Sequence, residues 1–283
     1  MQFAMVSFDR YLGILNSFLK EGWRPLKFFS SPSQNEFDDN RFFVAEAARL
    51  GIEVQLDRIT ASDLFELKDQ GCDALVVAGY KWKIPDPKEI LKYAINFHPS
   101  PLPIGRGPYP LPRAILENFT YWGVSCHRIN NSFDAGDILC AKNFALSSDE
   151  CHESLTLKVE LNSNWLAAHV AQNVDFLWRN AQRQNEGSYW AGPSIEERII
   201  NFDHSAENIL RRIRSFGSLG TFAIFGESWF IVKRAIGWQE HHLCVPGQII
   251  NFNQGKLTVA ARDGYIGILE LAAFNSKPEQ IHT

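Results

Sequence analysis

The sequence predicts an α/β protein: an open, mostly parallel sheet with helices on both faces, followed by a smaller all-β unit resembling an OB-like barrel. Three observations carry this. Strand-like and helix-like segments alternate through the first 100 residues. The run Ala74-Leu75-Val76-Val77-Ala78 is apolar without a break, as in a strand covered on both faces. After Gly217, short strands are separated by tight-turn signals such as N-Q-G and R-D-G.

Taken in order, MQFAMVSF is the first strand, and Leu12, Leu15, Phe18 and Leu19 give the segment Tyr11 to Glu21 a helical period. LKFFSS is the second strand. Asp39 to Leu50 is a helix ended by Gly51, leading into the short strand IEVQL, and Ser62 to Lys68 is a short helix. Pro85 to Tyr93 is expected to hold a turn and helix before the strand AINFH. A helix from Pro112 or Arg113 to Asn118 follows, then the strand WGVSCHRI, the turn Asp134-Ala135-Gly136-Asp137 and the strand ILCAKNFAL. Glu150 to Trp178 carries a long helical pattern with one break expected near Asn162 or Ser163. Polarity then rises over Arg179 to Ser188, the best linker candidate. Ala206 to Arg214 is a helix, followed by the strands FAIFG, SWFIVKRAIGW, PGQIINFNQGKLTVAARDG and YIGILELAAF. The expected division is a sheet domain over residues 1–185, a helix and barrel over 186–275, and a tail over 276–283.

Composition sets limits on function. The chain has 283 residues, about 45% of them apolar, and a formal charge of −4, so it lacks the broad basic footprint that holds nucleic acid. Neither a membrane-spanning apolar run nor a secretory leader is evident, and a cytoplasmic location is expected. Cys72, Cys126, Cys140, Cys151 and Cys244 are odd in number without C-x-x-C spacing, which argues against a disulfide framework or a zinc site and for mostly small buried residues. The histidines are scattered, so no metal is expected.

The stretch INFHPSPLPIGRG, Ile95 to Gly107, places three prolines and two glycines just after Asn96 and His98. Prolines restrict φ and glycines allow left-handed or close backbone paths, so the segment is expected to be a stiff loop at a strand's carboxyl end. Two readings stand: a rigid crossover in which His98 only caps a strand, or a loop holding a reactive group.

INFHPSPLPIGRGPYPLPRAI followed by GVSCHRINNSFDAGDIL resembles the signature of the folate-dependent formyltransferases, with N-x-H, L-P-x-x-R-G and D-x-G-D in order. The segment SYWAGPSIEERIINFDHSAENILRRIRSFG is similar to the entry into that family's C-terminal barrel. The resemblance implies a sheet of formyltransferase type using 10-formyltetrahydrofolate as formyl donor without a metal. It implies that Asn96, His98 and Asp134 are catalytic, and that Tyr80, Lys81, Trp82 and Ile84 line the folate pocket. Asn131 and Gly136 would complete that pocket, and Leu102, Arg106 and Gly107 shape its rim. In such chemistry Asn96 would donate to the developing oxyanion, while His98 and Asp134 handle the amine proton; which of the two accepts it first stays open. Asn96 as a strand-end cap is the plain alternative. Arg106 either clamps an anion bidentately or ties its loop to the domain, with the tie favoured.

The acceptor implied is a small-molecule primary amine. Methionyl-tRNA formyltransferases carry a basic insertion after the second strand, where this chain has the short acidic FFSSPSQNEFDDNRFF. DDNRFFVAEAARLGIEV instead resembles the aminoarabinose-modifying members, so a nucleotide-linked amino sugar is expected. An amino-acid derivative or carrier-bound amine is the first alternative, with methionyl-tRNA formylation, formyltetrahydrofolate hydrolysis and a noncatalytic binding protein behind it, and a homodimer is allowed.

Overall fold

The computed structural model describes residues 1–33 and 39–274. The first of its two units comprises Met1–Pro110, Tyr121–Phe144 and Leu157–Trp190. Its strands are β1 (Gln2–Ser7), β2 (Arg24–Phe29), β3 (Val54–Gln55), β4 (Ala74–Ala78), β5 (Tyr93–His98), β6 (Tyr121–Arg128) and β7 (Ile138–Ala145), ordered β3-β2-β1-β4-β5-β6-β7. Neighbours from β3 to β5 are parallel, whereas β6 runs antiparallel to β5 and sets His127 opposite Asn96. The helices are α1 (Leu12–Lys20), α2 (Arg41–Leu50), α3 (Ala61–Asp69), α4 (Pro110–Leu116) and α5 (His152–Arg179), the last two extending beyond this unit.

Alternation along β1 covers both faces of the sheet. Ala4 and Val6 pack with Leu64 and Leu67 of α3 on one side, while Phe3 on the other meets Phe18 of α1 and Trp23, whose Nε1 donates to Ala171 O of α5. The helix ends follow local chemistry. Asp9 accepts from the Phe42 and Phe43 N–H groups at the start of α2, Thr60 and Asp63 form a capping box on α3, and Gly51 closes α2 with φ +69°.

Two expectations fail here. Among the described residues, 85–92 holds a single turn in which the Ile90 and Leu91 N–H groups donate to Pro87 O, and no helix, and Tyr93 already belongs to β5. Pro85 and Pro87 lack an N–H and bias Ile84 and Asp86 away from helical angles. The break in α5 lies at Asn173 (φ −128°, ψ 17°), not at Asn162 or Ser163. Asn173 Nδ2 donates to His169 O at 2.9 Å, but Asn162 makes the same bond to Lys158 O at 2.7 Å within regular helix. Side-chain competition alone therefore does not place the kink.

The second unit contains Leu111–Thr120, Ala145–Thr156 and the described residues from Ala191 onward. Beyond Ala191 it holds α6 (Ile195–Arg198), α7 (Ala206–Phe216), β8 (Thr221–Phe225), β9 (Ser228–Gln239), β10 (Ile249–Asn253), β11 (Lys256–Ala260) and β12 (Gly264–Phe274). The strands form one antiparallel sheet, β10-β11-β12-β9-β8, over which Ile209 and Ile213 of α7 pack on Val232, Val259, Ile266 and Ile268. A β8–β10 pairing that would close this sheet into a barrel is not found among the described residues. The expected tail over 276–283 lies outside those residues, as does part of the acidic stretch after β2. Cys72 and Cys126 are buried but the other three cysteines are only half-buried, and all five are free. Among the described residues no helix is long and apolar enough to cross a membrane, and no metal-ligating group of three or more side chains occurs.

Candidate active site

The carboxyl end of β5 carries Asn96 and His98, and β6 brings His127 beside Asn96 as its cross-strand partner. Asp134 enters from the turn after β6 in a left-handed conformation, φ +53°, uncommon for a residue with a side chain. Its Oδ1 accepts from Asn96 Nδ2 at 3.2 Å, and its Oδ2 accepts from the Gly107 N–H at 2.9 Å. His98 Nδ1 and His127 Nε2 lie 3.4 and 3.5 Å from the same Oδ1.

Hydrogen-bond partners assign the tautomers. Gly105 O, an acceptor only, lies 2.8 Å from His98 Nε2, so Nε2 carries the hydrogen and Nδ1 keeps a bare lone pair. His127 Nδ1 likewise donates to Arg128 O at 2.7 Å, leaving Nε2 to accept from Asn96 Nδ2 at 3.0 Å. Burial pushes His98 below its ordinary value of 6.5 against the opposing pull of the Asp134 carboxylate, so the ring is neutral at pH 7. Burial acts to raise Asp134, but the hydrogen bond from the Gly107 N–H and the positive charge His98 or His127 carries when protonated outweigh it and bring the carboxyl below its usual range. The result is two proton acceptors, His98 Nδ1 and Asp134 Oδ1, facing one another at 3.4 Å. Beside them sits an amide donor with both hydrogens engaged. Such an edge can take a proton from an approaching ammonium, and Asn96 can then redirect one N–H to a newly charged oxygen.

The loop after His98 is packed and hydrogen-bonded along its length. The Leu102–Pro103 peptide is cis, and a Cβ on Gly107 would meet Trp190 O at 2.4 Å. Leu102 is buried and its N–H donates to Ser125 Oγ. Arg106 ties the loop: Nε donates to Gln184 Oε1 and Nη2 to Asn185 O, each at 3.0 Å. Gly136 is pinned to β6, since a Cβ there would lie 1.9 Å from Arg128 O.

The remaining folate-pocket candidates form a neighbouring group. Tyr80 packs edge-on to Trp82 at 5.5 Å, its hydroxyl accepting from the Ile59 N–H, and Lys81 Nζ lies 5.2 Å from the Trp82 ring centre. Ile84 is buried in the apolar layer below them, and Asn131 Nδ2 donates to Asp86 Oδ2, bridging the two loops.

Sequence reasoning missed His127 and the segment 182–190. The latter, expected as linker up to Ser188 and as the entry to the C-terminal part from there, runs along the loop: Gly105 N–H donates to Ser188 Oγ, Arg106 N–H to Ser188 O and Trp190 N–H to Arg106 O. Trp190 also stacks on Trp122 at 5.8 Å. Once β5 and β6 are known to pair, the register identifies His127; no comparable local signal marks Gln184 or Ser188.

An α/β sheet with an Asn-His-Asp cluster at the end of a central strand defines the class of protein. Residues 39–170 match the family described as formyl transferase, and residues 194–283 match its C-terminal domain; the chain belongs to this family. It is 35% identical over 164 residues to methionyl-tRNA formyltransferase of Ehrlichia ruminantium, covering 56% of this chain and 52% of that protein. The chain thus spans about half the length of the first curated relatives it matches. Among solved structures it resembles the N-formyltransferase of Helicobacter canadensis in complex with folinic acid and dTDP-3-aminofucose (TM-score 0.68, 19% identity, 96% of this chain and 99% of that one). It also resembles HypX of Aquifex aeolicus in complex with tetrahydrofolic acid (TM-score 0.65, 18% identity, 99% and 45%). At these identities the likeness to solved structures is one of fold.

Proposed function

We propose that the protein transfers a formyl group from 10-formyltetrahydrofolate to a primary amine, with a nucleotide-linked amino sugar as acceptor. The observation that carries this reading is the Asn96–His98–Asp134 cluster, with its bare His98 Nδ1 beside an ionised Asp134. The donor supplies an amide-like formyl carbon. The chain's residues free the acceptor amine of a proton at the His98–Asp134 edge, which lets its lone pair form the new C–N bond. Asn96 Nδ2 stabilises the oxygen charge that develops, worth about 3 kcal/mol for a well-aimed donor of this kind. As the bond to N10 breaks, the proton held at the edge would pass to the departing nitrogen, and the freed edge would take the second proton from the new amide nitrogen.

The half-buried aromatic pair Tyr80 and Trp82 fits the flat heterocycle of a folate by offering ring surface, whereas the space a side chain would take at Gly107 and Gly136 is already filled by Trp190 and Arg128. Tyr80, Lys81, Trp82, Ile84, Leu102, Arg106, Gly107, Asn131 and Gly136 are the residues assigned to hold the folate. In this reading residues 1–185 form the catalytic domain, and the C-terminal part governs acceptor choice or assembly.

The full-length resemblance to an enzyme crystallised with dTDP-3-aminofucose supports the sugar acceptor. The net charge of −4 and the acidic stretch after β2 disfavour a polyanion. The curated relatives named methionyl-tRNA formyltransferase favour the second reading, an aminoacyl-tRNA acceptor. A mass-spectrometric screen with 10-formyltetrahydrofolate separates them, using dTDP-linked amino sugars, free amino acids, carrier-bound amino acids and methionyl-tRNA. A formylated sugar supports the first reading and formylated methionyl-tRNA replaces it with the second. Formate without a formylated amine overturns both.

A further inference from the structure

Gln184 lies 50 residues beyond Asp134, in the polar segment that follows α5. Its side chain touches neither Asn96 nor the two histidines among the described contacts, yet all of its hydrogen-bonding groups are spent on the backbone and loop that hold them. Nε2 donates to Asp134 O at 2.8 Å and to Gly136 O at 2.7 Å, and Oε1 accepts from Arg106 Nε at 3.0 Å. The first two bonds fix the turn that keeps Asp134 at φ +53°, a conformation a non-glycine residue holds only when its surroundings enforce it. The third fixes Arg106, whose two chain neighbours supply the backbone groups of the site. Gly105 O receives the His98 Nε2 hydrogen, and Gly107 N–H donates to Asp134 Oδ2.

We infer that Gln184 is the positioning residue that sets His98 Nδ1 against Asp134 Oδ1, by joining the loop that orients the imidazole to the turn that orients the carboxylate. The inference rests on the proposed reading for its consequence in turnover, but not for its geometry. A primary amide suits the position because two donors and one acceptor are required at once. A carboxylate of the same shape keeps the bond from Arg106 and sets negative charge against two carbonyl oxygens. An alanine loses all three bonds.

The test uses the full chain, 15N-labelled, as Gln184→Ala and Gln184→Glu. The His98 ring signals are assigned by their loss in His98→Asn. Without substrate, the parent ring is expected as one neutral tautomer with hydrogen on Nε2. In both Gln184 variants the tautomers average and the titration midpoint moves up toward the unperturbed value of about 6.5, as the ring loses its fixed partner and gains water. Circular dichroism checks that the fold is kept, and if Gln184→Ala does not fold, the isosteric Gln184→Glu carries the test.

With the amine found by screening, kcat is expected to fall by on the order of 10- to 100-fold. In an Asp134→Asn background, Gln184→Ala adds less than its full loss, because the part of its effect that acts through the carboxylate is already gone. A parent-like His98 tautomer and titration in both variants overturns the inference, as does a full multiplicative loss on top of Asp134→Asn. If the parent transfers formyl to no amine, the transfer reading fails and the ring measurement alone decides the place of Gln184.

Discussion

Replacing Asp134 by asparagine removes one charge and turns one acceptor into a donor at the centre of the cluster. The carboxylate now accepts on both oxygens: Gly107 N–H at 2.9 Å on Oδ2 and Asn96 Nδ2 at 3.2 Å on Oδ1. An NH2 group at the Oδ2 position would face the Gly107 donor. At the Oδ1 position it faces the Asn96 donor, but also the bare His98 Nδ1 at 3.4 Å and His127 Nε2 at 3.5 Å. The second orientation therefore wins, and Asn96 gives up its bond and its aim. Hydrogen bonds to a charged group are worth about 1.5–3 kcal/mol against about 1 kcal/mol for neutral ones. Losing one such bond and weakening the other, partly offset by a new bond to His98, costs about 2 kcal/mol, or about 4–8 °C in melting temperature. Transfer should fall by at least about 100-fold, since proton acceptor and oxyanion donor are disturbed together. The assay is kcat on the screened amine, with thermal unfolding followed in parallel. A folded Asp134→Asn protein within about threefold of parental kcat would refute the assignment of Asp134 to the proton-accepting edge.

Other consequences can be measured on the same protein. Because burial depresses His98, the acid limb of kcat/KM should have its midpoint below 6.5, and a midpoint at or above 6.5 contradicts a neutral buried ring. For stability the sign is the same: the unfolded chain binds the His98 proton more readily, so this contribution is complete above about 6.5 and is lost as pH falls through the lower folded value. The urea midpoint should accordingly drop more between pH 7.5 and 5 in the parent than in His98→Asn; equal drops exclude a His98 contribution. Gly136→Ala forces a methyl group to within 1.9 Å of Arg128 O, so the turn must shift by about 1 Å, and a loss on the order of 100-fold in kcat with retained circular dichroism is expected. Parental turnover would show that the turn can move without moving Asp134.

The sheet was legible because its signals are local. An unbroken apolar run marks β4, helical spacing marks α1, and Gly51 ends α2 where a left-handed residue is needed. The three catalytic candidates rested on the family resemblance of N-x-H and D-x-G-D, since local signals gave only Asn96 and His98 at a strand end before a loop rich in proline and glycine and Asp134 in a turn. What sequence could not supply was whatever depends on contacts distant along the chain. His127 acquires meaning only from its register opposite Asn96, and Gln184 only from a fold that returns the segment after α5 to the Asp134 turn. That segment is polar because its side chains and backbone are spent on loop carbonyls and amides, a composition shared with an ordinary linker. The missing helix expected over 85–93 is a different kind of error, since Pro85 and Pro87 disfavour helical angles at the residues before them and that steric rule should have prevailed.

The 50-residue separation between Asp134 and Gln184 also matters while the protein is being made. A ribosome adding about 5–20 residues per second delivers Asn96, His98 and Asp134 roughly 2.5–10 s before the side chain that joins their loops. During that interval the nascent chain holds all the reactive groups but not the bonds that set their distances, so the centre is completed only when the segment around Gln184 and Ser188 emerges and docks. The distances within the Asn96–His98–Asp134 cluster are thus set late in synthesis, by residues outside it.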